Sequence, residues 1–240
     1  TQPAILTVSY SIFKVLKDEF GFEFKNFNYF AGHSLGEYSA LVCAESLSFN
    51  DAVYLLNERG KAMQEAVPVG KGSMLAVLGL KTEELNNMMQ NINFKEGICE
   101  IANDNANGQI IISGDKESVQ LFQNLLKEKK IKSIPLKVSA PFHCSLMKPA
   151  AEIMKNKINK VKFEDPIIEI INNVTARAEK KSNTIKDLLI NQIYSTVKWR
   201  ESLIKMEDNG VKNFIEIGPG KVLIGMVKRT IKNSNCFSIN

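Results

Sequence analysis

Three observations predict an α/β protein in which a small β-α-β-β-α-β unit interrupts a larger layer of parallel strands and helices. Short apolar runs alternate with amphipathic segments along the whole chain, the order that builds a parallel sheet covered by helices. At Gly70-Lys71-Gly72-Ser73 this rhythm breaks, and a different one runs to Val138. Near the start, Tyr29-Phe30-Ala31 leads into Gly32-His33-Ser34-Leu35-Gly36 and then into a helix-forming stretch from Glu37 to Ala44. Strand, Gly-x-Ser-x-Gly and helix in that order form a sharp turn with an exposed serine at its tip.

The first helix is read from Ile5, Val8, Ile12, Val15, Leu16 and Phe20 at helical spacing, with Pro3 suited to its start and Gly21 to its end. It feeds the Tyr29–Ala31 strand and the serine turn. Gly32 and Gly36, lacking Cβ, are expected to let strand and helix pack closely around Ser34. A further helix follows over Phe49–Glu65, with Asn50 as its expected N-cap.

Residues 71–138 read as the inserted subdomain. Met74–Leu78 is a strand and Thr82–Ile92 a helix capped by Thr82 with acids in its first turn. Ile98–Ala102 and Gln109–Ser113 are strands about a polar Asn-Asp-Asn-Ala-Asn-Gly turn; Lys116–Lys130 is a helix and Ile131–Val138 a closing strand. This is the split β-α-β order of a ferredoxin-like unit. Residues 1–70 and 139–240 then make one discontinuous large domain. Its second part holds a loop at Ser139–His143, a helix over Ser145–Asn159 and a strand over Pro166–Ile171, which is β-branched enough to be buried on both faces. Helices over Asp187–Tyr194 and Lys198–Asn209, a strand over Phe214–Ile217 and a helix over Val222–Ile231 complete it.

Composition bounds the partners. At 240 residues, with 44% hydrophobic and 24% charged residues, the chain is ordinary for a globular protein. Its net charge of +5 is spread without long basic runs, which gives no support to nucleic-acid binding. No apolar stretch is long enough to span a membrane. Cys43, Cys99, Cys144 and Cys236 are far apart, and with no signal peptide in view the reading is reduced and cytoplasmic.

Ser34 as nucleophile needs a base at neutral pH. Only two histidines exist. His33 is too close in sequence to aim at its neighbour and is read as a packing or hydrogen-bonding residue, which leaves His143. No acid for a triad is evident, since an α/β hydrolase carries its histidine late in the chain; a backbone carbonyl or amide side chain can orient the ring instead. Arg59 reads by default as an exposed helix arginine paired with Glu58 or Glu65, and alternatively as a planar fork gripping a carboxylate. The glycines near Lys71 and Lys221 lack phosphate-loop order, Gly218-Pro219-Gly220 lacks a third glycine, Asn173-Val174-Thr175 is a sequon without a use in the cytoplasm, and no zinc pattern exists.

Taken together, Gly32-His33-Ser34-Leu35-Gly36-Glu37-Tyr38-Ser39-Ala40, Arg59 at its offset and His143-Cys144-Ser145-Leu146-Met147-Lys148-Pro149-Ala150 resemble the malonyl-CoA:acyl carrier protein transacylases of type II fatty-acid synthesis. Ile101-Ala102-Asn103, Gly108-Gln109, Ile112-Ser113-Gly114, Gln192 before Val197-Lys198-Trp199, and Glu216-Ile217-Gly218-Pro219-Gly220 extend the likeness to essentially the whole chain. The resemblance implies an α/β-hydrolase-like large domain with a ferredoxin-like insert. It implies that Ser34, assisted by His143, takes malonyl from malonyl-CoA and passes it to the phosphopantetheine thiol of acyl carrier protein in a ping-pong cycle, without cofactor or metal. Arg59 would pair with the malonyl carboxylate, Gln192 would hold the histidine, and Leu35 N–H would serve the oxyanion. Phe142, crowding a branched α-carbon, would line the substrate pocket with His33 and Asn105. A monomer is expected.

Two departures from the family pattern stand out. The family opens with a strand and a Gly-Gln-Gly loop, and Thr1-Gln2-Pro3-Ala4 corresponds to a helix that follows them; Thr196 stands where proline is usual. The competing readings are a serine esterase or thioesterase on the same turn, and a carrier-binding fragment with impaired catalysis.

Overall fold

The computed structural model describes residues 1–240. Helix α1 (Gln2–Asp18) leads through a short 3-10 turn to β1 (Tyr29–Ala31), and α2 (Gly36–Cys43) follows the serine turn. Helix α3 (Phe49–Glu65) starts one residue after its N-cap, Ser48, whose Oγ accepts the Asp51 N–H at 3.1 Å. The cap is therefore Ser48 rather than Asn50, because Asn50 already lies inside the first turn.

The middle of the chain forms β2 (Gly72–Leu78), α4 (Thr82–Gln90), β3 (Cys99–Ala106), β4 (Gln109–Asp115), α5 (Lys116–Glu128) and β5 (Ser133–Pro135). Their antiparallel sheet runs β3-β4-β2-β5, and α4 and α5 pack on one face through Leu85, Val119, Phe122 and Leu126. Lys81 is the N-cap of α4, and the Thr82 hydroxyl donates to Asp104 instead. The polar run read as a turn is strand: Asn103, Asp104 and Asn105 are buried within β3. The Asp104 and Asn105 side chains find partners outside the sheet, and Asn103 is tied to Val197 by a parallel backbone bridge. Asp104 pairs with Arg200 through both oxygens, at 2.8 to 3.0 Å.

Helix α6 (Lys148–Lys160), β6 (Glu169–Ile171), β7 (Ala178–Glu179), α7 (Ser182–Gln192), α8 (Trp199–Asp208), β8 (Asn213–Ile217), α9 (Val222–Thr230) and β9 (Asn235–Ile239) complete the chain. The parallel strands lie in two pieces, β1 beside β6 and β8 beside β9. The terminal strand β9 was not anticipated, since Asn235-Cys236-Phe237-Ser238-Ile239 is too polar to announce itself. An apolar groove of about 720 Å³ separates β1 from β8 and is lined by Phe13, Phe24, Phe30, Phe214 and Ile217 among others. The main core packs α1, α2, α3, α6 and α7 about Tyr38, Leu41, Leu55, Met154 and Leu189. No helix is long and apolar enough to cross a membrane.

Candidate active site

Ser34 sits between β1 and α2 with φ of 52°, in the left-handed region. For a residue with a Cβ this costs on the order of 1–3 kcal/mol, and surrounding contacts must hold it. Those contacts come from Asn173: its Oδ1 accepts the Ser34 N–H at 2.7 Å while its Nδ2 donates to Gly32 O at 2.9 Å. A Cβ on Gly32 would overlap the Gly36 carbonyl, so glycine is required there. A Cβ built on Gly36 would meet nothing within 4 Å, which corrects the expectation that close packing needs glycine at both positions. The Leu35 N–H, at the start of α2, donates to no backbone acceptor.

His143 reaches Ser34 from the loop before α6, also in a left-handed conformation with φ of 57°. Its Nε2 lies 2.8 Å from Ser34 Oγ and its Nδ1 lies 2.8 Å from the Gln192 carbonyl. A nitrogen facing a carbonyl must carry the proton, so this network assigns Nε2 a lone pair aimed at the serine. Burial, reinforced by the Arg59 charge, pushes the His143 pKa down to about 3. The ring is therefore neutral at physiological pH. Glu100 on β3 ties down the next turn by accepting Ser145 Oγ–H at 2.6 Å and Ser145 N–H at 2.8 Å.

Arg59 on α3 is only 1% exposed, which corrects the default reading of a solvated arginine; Glu58 pairs instead with Lys61 and Lys157. The guanidinium Nη2 donates to Ser34 Oγ and to Gln192 Oε1, both at 3.0 Å, and Nη1 donates to Gln2 Oε1 at 2.7 Å. Nε has no partner. A buried, permanently charged group with only neutral acceptors is well suited to receive an anion.

Beneath the serine lies a buried polar layer. Glu37 accepts from Asn172 Nδ2 at 2.6 Å, Asn173 N at 3.1 Å and Gln192 Nε2 at 2.9 Å. Burial pushes its carboxyl up to about 7 against those three donors. Gln192 also donates to the Ser34 carbonyl at 3.0 Å, so one residue touches serine, histidine, arginine and glutamate. Gln2, Glu37, Asn172, Asn173 and Glu100 were not singled out from the sequence. The available signal was the pair Asn172-Asn173 directly after the buried Ile170-Ile171.

Ser34, His143, Arg59 and Gln192 thus converge. His33 points elsewhere: its Nε2 donates to Asn105 Oδ1 at 2.8 Å and its ring meets Trp199 edge-on at 5.6 Å. Half-buried Phe142 packs on the main core and on the small sheet. The large apolar groove includes Gly32, His33 and Leu35 but not Ser34, Arg59 or His143, so the chemistry lies elsewhere.

Fold and geometry together define a serine-based acyl-transfer protein of α/β architecture. The family model for the acyl transferase domain matches residues 1–239. The chain is 44% identical over 240 residues to the malonyl CoA-acyl carrier protein transacylase of Bacillus subtilis, covering all of this chain and 74% of the relative. It is 41% identical over 242 residues to the transacylase of the same name from Escherichia coli K12, covering 77% of that protein. The crystal structure of an acyl carrier protein S-malonyltransferase from Vibrio cholerae superposes with a TM-score of 0.95 at 42% identity, covering all of this chain and 77% of the other. A malonyl-transacylase solved in complex with its type II PKS acyl-carrier protein superposes at 0.94 with 38% identity, covering 100% of this chain and 76% of the other. The chain belongs to the acyl transferase domain family, among the malonyl CoA-acyl carrier protein transacylases.

Proposed function

We propose that this chain transfers a malonyl group from malonyl-CoA to the phosphopantetheine thiol of an acyl carrier protein, supplying extender units for fatty-acid synthesis. The observation that carries this reading is the buried Arg59 guanidinium, bonded only to neutral groups and 3.0 Å from Ser34 Oγ. An acyl group ending in a carboxylate completes that charge as its thioester carbonyl reaches the serine; a neutral acyl group leaves it unpaired.

In the first half-reaction Ser34 Oγ attacks the malonyl thioester carbonyl and its proton passes to His143 Nε2. The Gln192 carbonyl holds Nδ1–H and stabilises the imidazolium that forms. The Leu35 N–H, at the positive end of α2, meets the developing oxyanion. Collapse expels the CoA thiolate, which takes the proton from His143 and leaves a malonyl ester on Ser34. In the second half the phosphopantetheine thiol gives its proton to His143, attacks the ester and regenerates Ser34. Arg59 neutralisation by the malonyl carboxylate also removes one charge that depresses His143, so the base strengthens when the correct substrate is bound. Phe142 lines the acyl pocket in this reading, while the His33–Asn105 hydrogen bond ties the serine turn to β3. We further infer that the protein acts as a monomer in the cytoplasm without nucleic acid, consistent with its scattered charge and unpaired cysteines.

The test is turnover with malonyl-CoA and a phosphopantetheinylated carrier protein. Malonyl carrier protein and free CoA should accumulate in equal amounts. Release of free malonate with the carrier left unloaded would contradict the transfer reading and favour a thioesterase.

A further inference from the structure

Two parts of the molecule hold His143. One hydrogen bond ties its ring to α7, through the Gln192 carbonyl at 2.8 Å. The turn around it is held by the small sheet. A Cβ on Gly72, at the start of β2, would overlap the Pro141 ring. Phe142 packs on Met74, Ala76, Ala102 and Ile111, and Ser113 Oγ of β4 lies 3.7 Å from Cys144 Sγ. Pro141, Phe142 and Cys144 therefore all rest on β2, β3 or β4.

The polar tie comes next in the chain. Ser145 opens the short 3-10 turn ahead of α6, where a backbone N–H has no partner within the helix. Cys144 precedes it at the capping position and supplies no side-chain acceptor. Glu100 of β3 supplies one from 45 residues away: Oε2 accepts the Ser145 N–H at 2.8 Å and Oε1 accepts the Ser145 hydroxyl at 2.6 Å. Glu100 takes part in none of the ion pairs of the molecule, so its carboxylate serves this turn alone. His143, two residues earlier, keeps a left-handed φ of 57° that surrounding contacts must maintain.

We propose that Glu100 is a positioning residue for the base: by capping the turn that follows His143 it holds the left-handed backbone there, and so lets the small sheet set the aim of Nε2 at Ser34. The inference rests on the serine–histidine reading above and deepens it. Ser34, Arg59 and Gln192 stand on the turn after β1, on α3 and on α7, whereas the backbone of the base is anchored to β2, β3 and β4. The two halves of the chemistry meet across the 2.8 Å contact of Nε2 with Ser34 Oγ. Anchoring on rigid strands is what keeps such a contact in register.

The experiment measures kcat and KM for malonyl transfer to a phosphopantetheinylated carrier protein, with circular dichroism and thermal melting to check folding. It compares full-length wild type with Glu100→Ala, Glu100→Gln, Ser145→Ala, His143→Ala and the double variant His143→Ala/Glu100→Ala. Glu100→Ala should lower kcat by about 10- to 100-fold, the scale of a misplaced catalytic group. Its KM for malonyl-CoA should hold, since the bonds of Arg59 are untouched. Glu100→Gln should recover most of kcat, because the amide oxygen still accepts the Ser145 N–H and the amide nitrogen donates to the Ser145 hydroxyl oxygen. Ser145→Ala loses only the hydroxyl bond and should fall by up to about tenfold. In the double variant the second change should cost nothing further, because Glu100 acts through the base; a merely structural role would slow the residual rate again.

A folded Glu100→Ala with wild-type kcat overturns the inference, and so does a further loss in the double variant or a Glu100→Gln protein as slow as Glu100→Ala. Should Glu100→Ala fail to fold, Ser145→Ala decides: a lowered kcat at constant KM supports the inference, and an unchanged kcat overturns it. His143→Ala transferring malonyl at the wild-type rate would instead defeat the underlying assignment of the base, and the inference with it.

Discussion

Replacing Asn173 with alanine removes the brace beneath the strained serine. The Asn173 side chain is fully buried, and its loss leaves two backbone groups, the Ser34 N–H and the Gly32 C=O, without the partners that now lie at 2.7 and 2.9 Å. Each buried group stranded in this way costs about 1–3 kcal/mol, or about 2–6 kcal/mol for the pair. At about 2–4 °C per kcal/mol for a domain of this size, the melting temperature should fall by roughly 4–24 °C. The same bonds hold Ser34 at its left-handed φ, so serine loading should fall as well. Asn173→Asp keeps the acceptor for Ser34 N–H but sets an oxygen against Gly32 O, and should give a smaller loss. Thermal melting followed by circular dichroism, with serine loading measured well below the transition, checks both effects. An Asn173→Ala protein that melts within about 1 °C of wild type and loads at the normal rate would refute the argument that this asparagine maintains the turn.

Other outcomes follow from the same layer of residues. Because burial holds the His143 pKa down near 3, the base stays neutral on acidification, and the acid limb of kcat/KM should lie well below the 6.5 of an ordinary histidine. Arg59→Ala, assayed with acetyl-CoA, should move that limb upward, since the arginine charge is the second cause of the depression. Stability carries opposing signs. His143 and His33, both lowered by burial, contribute stability that is fully present above 6.5 and is lost as pH falls below it. Glu37, raised to about 7 from 4.5, contributes stability that is lost as pH rises between those values. Differential melting of Glu37→Gln separates them: the amide must set an N–H against Asn172 Nδ2 or against the Asn173 and Gln192 donors, at a cost of about 1–3 kcal/mol. A Glu37→Gln protein as stable as wild type at pH 8 would show that the carboxylate pattern is not required.

The strand–turn–helix carrying Ser34 and the order of elements in the small sheet were legible because they depend on local pattern: glycines at a tight turn, apolar periodicity, acids at helix starts. His143 was legible by scarcity. What sequence could not show was everything fixed by long-range pairing. Asn103, Asp104 and Asn105 read as a turn by composition, yet tertiary partners at His33, Val197 and Arg200 draw them into β3. Asn173 was set aside as a sequon without a use, yet it lies 139 residues from Ser34 and fully buried beneath it. Arg59 on an otherwise amphipathic helix gave no local sign that its face turns inward, because its partners come from α1, the serine turn and α7. The β8–β9 pair escaped notice because its exposed edge strand alternates polar and apolar residues too weakly for periodicity to find.

The most direct test of the central claim is the intact mass of the full chain after brief mixing with malonyl-CoA, with Ser34→Ala alongside. One malonyl group should add to wild type, map to the peptide containing Ser34, and disappear on addition of a phosphopantetheinylated carrier protein; Ser34→Ala should remain unmodified. An adduct that persists in Ser34→Ala, or a folded wild-type chain that turns over malonyl-CoA without ever carrying the group, would contradict acyl transfer through this serine.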